Sequence, residues 1–421
     1  MGMKSVKYGA LEIAVTDQFV RLWDDRGSGA TLHGAFFDPL LTEEMHGTGW
    51  RVLGSLGHVG DHQDITGKRA TILARNADPG AEMVKPPVDF RLIWKDQGSG
   101  AELNGSVWRP VPPEGYVCLG DVWHREWDKP EARWYGCIRQ EHAGRAYVRQ
   151  GQIGDLIWWD KRSGASANVA TYSIQPGPYP ADTTQRLILG AGLLLAVDHY
   201  DQPTDAVYVL DLPAAVVTSD PAPSPELVSH EQIPAETDQV VDRVVTVPCT
   251  VIQDPGKTLA WQVANSPFYT LERRTSWKKH IWSHNPTGNT ESTGEYAVTT
   301  GVTKTTGEEF TKRTAITVGA SAGIALKGFS ASVETSVTTE LGYTKRYEVS
   351  TFTEETHRHN LIIPPNSTGA LWSARHEIVP RRADGDVVGG QGGLPLNTVD
   401  FLTGHYPNGA AVRHTIDGDE V

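Results

Sequence analysis

The 421-residue chain is short of cysteine, of positive charge and of long apolar runs, and each shortage removes a class of function. Three cysteines, Cys118, Cys137 and Cys249, are too few and odd in number for a disulfide scaffold. They leave either a single Cys118–Cys137 bridge or, the expectation taken here, small buried thiols. Lysine and arginine number 38 against 51 aspartates and glutamates, a formal net charge of -13. That balance repels phosphate backbones and anionic lipid, so no nucleic acid partner is expected and membrane contact would need a receptor or apolar insertion. No stretch approaches the roughly 18 apolar residues of a spanning helix. Residues 1–9 carry lysines with no apolar segment behind them, so the protein is expected to be soluble and released from the producing cell without a recognisable signal peptide.

Catalytic signatures are missing too. No HExxH, GxSxG or CxxC occurs, and Gly256-Lys257-Thr258 has Val251 where a phosphate loop needs glycine. No enzyme activity and no cofactor are expected; paired carboxylates such as Asp96 and Glu114 are the weak starting point for a carbohydrate-active reading. His58 and His62 stand near Asp61 and Asp64, but His-x-x-x-His faces one way only on a helix and the flanking glycines argue against one, so no metal is expected there.

What is present is turn residues, 43 glycines and 26 prolines, between short Val, Ile, Thr, Tyr and Trp runs: the pattern of an all-β chain. The phrase W-x-D-x-x-S-G-A occurs three times, at Trp23 to Ala30, Trp94 to Ala101 and Trp158 to Ala165. An apolar run closing on Gly54, Gly120 or Gly190 follows each copy, giving a unit of roughly 65 to 70 residues. Each Trp ends a strand, each Asp can accept from turn amides and each Ser-Gly permits the reversal. Three such units around a pseudo-three-fold axis imply a β-prism-like domain over residues 1–217 with a shared aromatic core. Asp25, Ser28, Asp96, Ser99, Asp160 and Ser163 are read as turn architecture before ligand chemistry. Nine of the 13 tryptophans precede residue 200, placing either an aromatic platform for sugars or headgroups, or the core, in this half.

Within the second unit, Ile93 to Gly100 and Trp108-Arg109-Pro110-Val111-Pro112-Pro113-Glu114-Gly115-Tyr116-Val117-Cys118-Leu119-Gly120 resemble the vacuolar-protein-sorting-62-like family. The resemblance covers about residues 10 to 215 and weakens in the third unit, which lacks Pro-Pro-Glu-Gly.

Residues 218–238, rich in Pro, Ser and acids, read as an extended linker with little to bury. Residues 239–421 differ in character: no Trp lies between Ser283 and Leu371, and about a third of residues 284–356 are Ser or Thr. Over 314–341, a turn at Lys327-Gly328 sets Leu326 opposite Phe329. One face then carries Ile316, Val318, Ala320, Ala322, Ile324 and Leu326 with Phe329, Ala331, Val333 and Val337. The other carries Ser321, Ser330, Ser332, Glu334 and Ser336. Arms of about 13 residues exceed the roughly 9 to 11 of a tilted transmembrane strand. This is a candidate insertion hairpin with a lipid-facing exterior and a hydroxyl-lined lumen.

Residues 268–375 resemble aerolysin-type toxins (ETX/MTX2, natterin-like) at Tyr269-Thr270-Leu271-Glu272-Arg273, Trp277-Lys278-Lys279, the Thr-rich approach, Ala320 to Gly328 and Ile363-Pro364-Pro365-Asn366. The resemblance implies an elongated β-domain with long twisted strands and a toxin, insecticidal or cytolytic. It also implies binding to a target-cell membrane through a receptor or glycan, homo-oligomerisation there and insertion of a barrel. Arg381-Arg382, before a glycine-rich loop, is the expected activation site, making 383–421 a candidate inhibitory tail or else a last strand. His357 and His359 share a strand face and are expected to be solvated. The competing reading is a lectin-like binding protein without pore activity.

Overall fold

The computed structural model describes residues 3–177, 186–286, 289–319, 323–327, 334–337, 341–343, 354–390, 392–407, 409 and 412–414. The chain is all-β, and among the described residues the paired strands within its sheets run antiparallel.

The first half is a threefold repetition of one device. Each unit has a three-stranded meander: Phe19–Asp24, Gly34–Pro39 and Leu56–Val59; Asp89–Lys95, Gly105–Val111 and Val122–Arg125; Gln152–Trp159, Ala170–Gln175 and Leu194–Val197. A second three-stranded sheet accompanies each meander. The first strand is irregular at the same place in all three, between Arg21 and Trp23, Leu92 and Trp94, and Leu156 and Trp158. An extra residue there bends the strand and re-aims the next side chain. The side chain so aimed is the repeat tryptophan, and Trp23, Trp94 and Trp158 meet in one cluster with Trp123 and Phe36. Ring centroids of the three repeat indoles lie 5.1 to 5.9 Å apart.

The units close on one another in a ring. Trp23 Nε1 donates to the Leu103 carbonyl of the second unit (2.9 Å), Trp94 to Ala167 of the third (2.8 Å) and Trp158 to Leu32 of the first (2.9 Å). The hairpin tips repeat the cycle: Glu102 N–H to Arg26 carbonyl, Ser166 to Gln97 and Thr31 to Lys161. Buried donors are thereby satisfied only when all three units are present. Cys118 and Cys137 are joined in a disulfide, correcting the expectation of free thiols, while Cys249 is free and buried.

Beyond residue 214 the chain builds a six-stranded sheet in the order Ala215–Thr218, Val240–Pro248, Phe268–Asn285, Ser367–Arg381, Leu394–Tyr406, Val412–His414. Its longest member has 18 residues, about 60 Å of extended chain. Ser292–Thr300 and Glu355–Ile363 pair along nine residues each as a separate ribbon. Residues 219–239, which cover most of the expected linker, form no named strand or helix, and they lie on the sheet and do not hang free. Ala222 and Leu227 are buried with Trp277 and Trp372, and Trp277 Nε1 donates to the Ala222 carbonyl at 3.3 Å. The few apolar residues of the segment find a hydrophobic strip supplied by tryptophans far away in sequence. The main apolar cluster runs unbroken from Tyr8, Leu11 and Leu212 to Val245, Val247 and Tyr269.

Candidate functional site

The repeat turns are built identically. Ser28, Ser99 and Ser163 donate their backbone N–H to the carbonyls of Asp25, Asp96 and Asp160 at 3.0, 2.8 and 2.8 Å. Each serine hydroxyl then accepts from the N–H two residues on, at 3.1 to 3.2 Å. All six residues are buried. Asp25 and Asp160 use Oδ1 to accept the Gly34 and Val169 amides, and Asp96 accepts from two indoles, Trp23 (3.0 Å) and Trp127 (2.6 Å). Asp96 is thus an indole acceptor inside the fold, while Glu114 is exposed on a turn. His62 does not join His58: His58 Nε2 meets Asp61 at 2.7 Å and His62 Nε2 meets Asp25 at 2.6 Å. Trp127 is exposed and Trp159 half-buried, the latter with Lys161 Nζ 3.5 Å above its ring.

The candidate insertion segment starts behind a helix that composition hid, Lys304–Thr314. Thr303 caps it by accepting from the Thr306 N–H at 3.1 Å, and Ala315 ends it in the left-handed region at φ 56°. Its threonines are poor helix formers, so the tertiary contacts of buried Phe310 and Thr314 decide the matter.

Next come three short strands, Ile316–Gly319, Gly323–Lys327 and Glu334–Ser336, forming a sheet of their own. Ile316 pairs with Leu326 and Val318 with Ile324, and Leu326 pairs again with Thr335. This corrects the expected two-strand ribbon: Leu326 faces a partner six positions beyond Phe329, and the first arm doubles back on itself. Because the six-residue offset is even, it leaves the assignment of residues to faces unchanged. Ile316, Ile324, Leu326, Val337 and Leu341 are fully buried in the main apolar cluster, beside Phe310, Leu394 and Leu396. The backbones of Lys327, Glu334 and Ser336 take part in this pairing. Ala320, Ser321, Ala322, Gly328, Phe329, Ser330, Ala331, Ser332 and Val333 lie outside the described residues.

At the far end, Tyr343 is buried with its hydroxyl 3.2 Å from His376 Nδ1 and its ring 5.7 Å below the Arg273 guanidinium. Arg273 is itself paired with buried Asp242. Burial, and then Arg273, hold the His376 pKa well below the usual imidazole range, and burial pushes the Tyr343 phenol up. Sequence patterning gave no sign of this anchor, since it depends on three strands meeting.

Arg381 and Arg382 are both held in ion pairs, ahead of the exposed residues Ala383 to Asp386. Arg381 Nε bonds Glu272 at 2.9 Å, and Arg382 forms a two-pronged pair with Asp254 at 2.6 and 2.8 Å, where Asp254 is fully buried. Of the two readings of residues 383–421, tail or strand, the strand has structural support: Leu394–Tyr406 is hydrogen-bonded along Ser367–Arg381, with Leu394, Phe401 and Leu402 buried. His357 and His359 are half-buried instead of solvated, with His357 Nε2 3.1 Å from Thr300 Oγ1 and His359 packed on Phe401.

Residues 244–363, which include the helix and the three short strands after it, match the family described as Insecticidal Crystal Toxin, P42. Residues 1–189 match the family described as Vacuolar protein sorting-associated protein 62. The chain carries a toxin-family module behind a Vps62-like region. Among solved structures, GNIP1Aa from Chromobacterium piscinae is 26% identical over 46% of this chain and 34% of its own, with a TM-score of 0.35. This chain therefore spans about a third of that one. Cry35Ab1 is 11% identical over 96% of this chain and 91% of its own, with a TM-score of 0.33. No curated protein sequence matches. The toxin-family module contains no helix, among the described residues, long and apolar enough to cross a membrane, which leaves strands as a separate question.

Proposed function

We propose that this protein is a non-enzymatic pore-forming toxin. Its Vps62-like region, residues 1–217, recognises a receptor or glycan on the target cell, and residues 218–238 lead into the toxin-family module. Copies of the chain assemble at the membrane, and residues 314–341 leave the body to become two long strands of a transmembrane β-barrel. The observation that carries this reading is the geometry of the stowed sheet. Separating the paired strands Ile316–Gly319 and Gly323–Lys327 and sliding the second against the third by six positions yields the two-faced ribbon expected from sequence. Both changes are even in residue count, so the buried set Ile316, Ile324, Leu326 and Val337 stays on one face throughout. In the body that face is covered by apolar neighbours; in a closed barrel lipid would cover it, and every backbone group would be paired.

The test is Val333→Asp, which puts a charge on the lipid face of the ribbon at a cost of about 2 to 4 kcal/mol near the bilayer midplane. Folding and attachment to target cells are expected to persist, while dye release from those cells or from liposomes disappears. Unchanged leakage would remove the pore reading and leave a lectin-like binding protein, which would agglutinate in a glycan-dependent way and release no dye.

A further inference from the structure

The three repeats hold the same buried aspartate, and in each a side chain just past the third meander strand reaches over it. In the second unit this is Trp127, whose indole donates to Asp96 Oδ1 at 2.6 Å, and in the third it is Tyr200, whose hydroxyl donates to Asp160 Oδ1 at 2.9 Å. In the first unit it is His62, with Nε2 2.6 Å from Asp25 Oδ1. The residue ahead of the second meander strand varies in the same way. Asn104 and Asn168 bond within their own units, to Glu126 and to Tyr200, whereas the first unit has His33, with Nδ1 3.5 Å from Asp25 Oδ2.

Where the sister units carry Trp or Tyr at one position and Asn at the other, the first unit alone carries two imidazoles converging on a carboxylate. The ligating atoms of Asp25, His33 and His62 lie within 4.8 Å of one another, wider than the roughly 3.3 Å between ligands around a tetrahedral zinc ion, so closing on an ion requires the exposed His33 ring to swing inward. Asp25 is held for the task by the Gly34 amide at 2.8 Å on Oδ1. The His62 carbonyl accepts from the Arg21 guanidinium, itself paired with Asp24 at 2.8 Å, which fixes the segment bearing His62. Asp25 is buried, His62 largely so, and His33 stands 64% exposed, so the cluster opens to solvent on one side only.

We propose that Asp25, His33 and His62 form a binding site for a divalent transition metal of the zinc class. Imidazole nitrogen with one carboxylate suits zinc, nickel or copper and disfavours calcium and magnesium, which take oxygen ligands. Three protein ligands leave the fourth position on the solvent side for water or for an oxygen or nitrogen of a partner. The ion ties the first repeat turn to the segment after its third strand, the junction that Trp127 and Tyr200 tie by hydrogen bonds in the other units.

The test uses the full chain, stripped of metal and titrated with zinc chloride by calorimetry, beside His33→Asn and His62→Tyr. Those substitutions install the residues of the sister units, so both variants are expected to fold with the metal-free melting temperature of the parent. The parent is expected to bind one zinc ion per chain and to melt at a higher temperature with it, and each variant to lose at least tenfold in affinity. Absence of zinc binding by the parent, or parental affinity in either variant, overturns the site.

Discussion

At the scale of single residues, the repeat domain is governed by how closely its backbone approaches the central indoles. A Cβ on Gly105 would lie 2.3 Å from Trp23 Cδ1, and one on Gly34 would lie 2.7 Å from Trp158 Cδ1. The third unit has Val169 at the matching place, so glycine here is a packing requirement of two particular ring poses and not a turn requirement. Gly105→Ala is expected to cost about 1 to 3 kcal/mol by overpacking, read as a lower urea midpoint with loss of near-ultraviolet tryptophan dichroism. A substitution that leaves both signals unchanged would mean the ring pose is not the constraint. The tryptophans and aspartates of this core were legible in the sequence because they recur three times in one phrase. Gly34 and Gly105 were not, because nothing in a linear pattern says which glycine meets a ring. The Asp254–Arg382 pair was hidden for the same reason: its partners are 128 positions apart and become neighbours only across the sheet.

At the scale of elements, the amphipathic partition of 314–341 was legible and its pairing was not. Alternation fixes which side chains share a face, but any even slip satisfies it equally, and the body selects the folded-back form because it also has to bury Phe310 and Leu341. The long strands that hold this segment in place carry histidines that resist protonation. Burial, then Lys278 and His359, bring the His280 pKa down to about 4, and His376 lies well below its usual value. A histidine that is harder to protonate folded than unfolded contributes its full stability above the unfolded pKa, near 6.5, and loses it as pH falls toward the folded value. Asp38 works in the opposite sense: burial raises its carboxyl to about 6, so its contribution is greatest below about 4 and fades as pH rises through 6. Burial raises the Asp121 carboxyl in the same sense, but the downward shifts of the two sheet histidines cover most of the interval, so the melting temperature is expected to drop between pH 6.5 and 4.5. His280→Gln, which can still reach Ser373, is expected to flatten that drop, and an unchanged slope would clear His280 of the effect. Since His376 touches Tyr343, protonation there would strain the contact at which the stowed segment ends.

At the scale of the whole molecule, the last part of the chain is a structural member of the sheet. Leu394–Tyr406 lies between Ser367–Arg381 and Val412–His414, and Phe401 and Val399 close a cluster with Leu371 and Val298 of the neighbouring ribbon. Leu394 and Leu396 belong to the cluster that also covers Ile316, Ile324 and Leu326. Removing residues 394–421 would therefore uncover the stowed segment and an 18-residue strand's partner together, exposing several large side chains at about 1.5 to 3 kcal/mol each. The truncated chain is expected to be aggregated or unfolded, seen as loss of the soluble monomer on gel filtration. A clean monomer with a parental melting temperature would show the strand to be dispensable. Trypsin applied to the intact protein is expected to spare the Arg382–Ala383 bond, since the Arg382 side chain is committed to Asp254 in the interior. If Asp254→Ala opens that bond to trypsin while the parent resists, the ion pair guards the junction. Any proteolytic trigger for assembly then has to act elsewhere in the chain or wait until the sheet has begun to open.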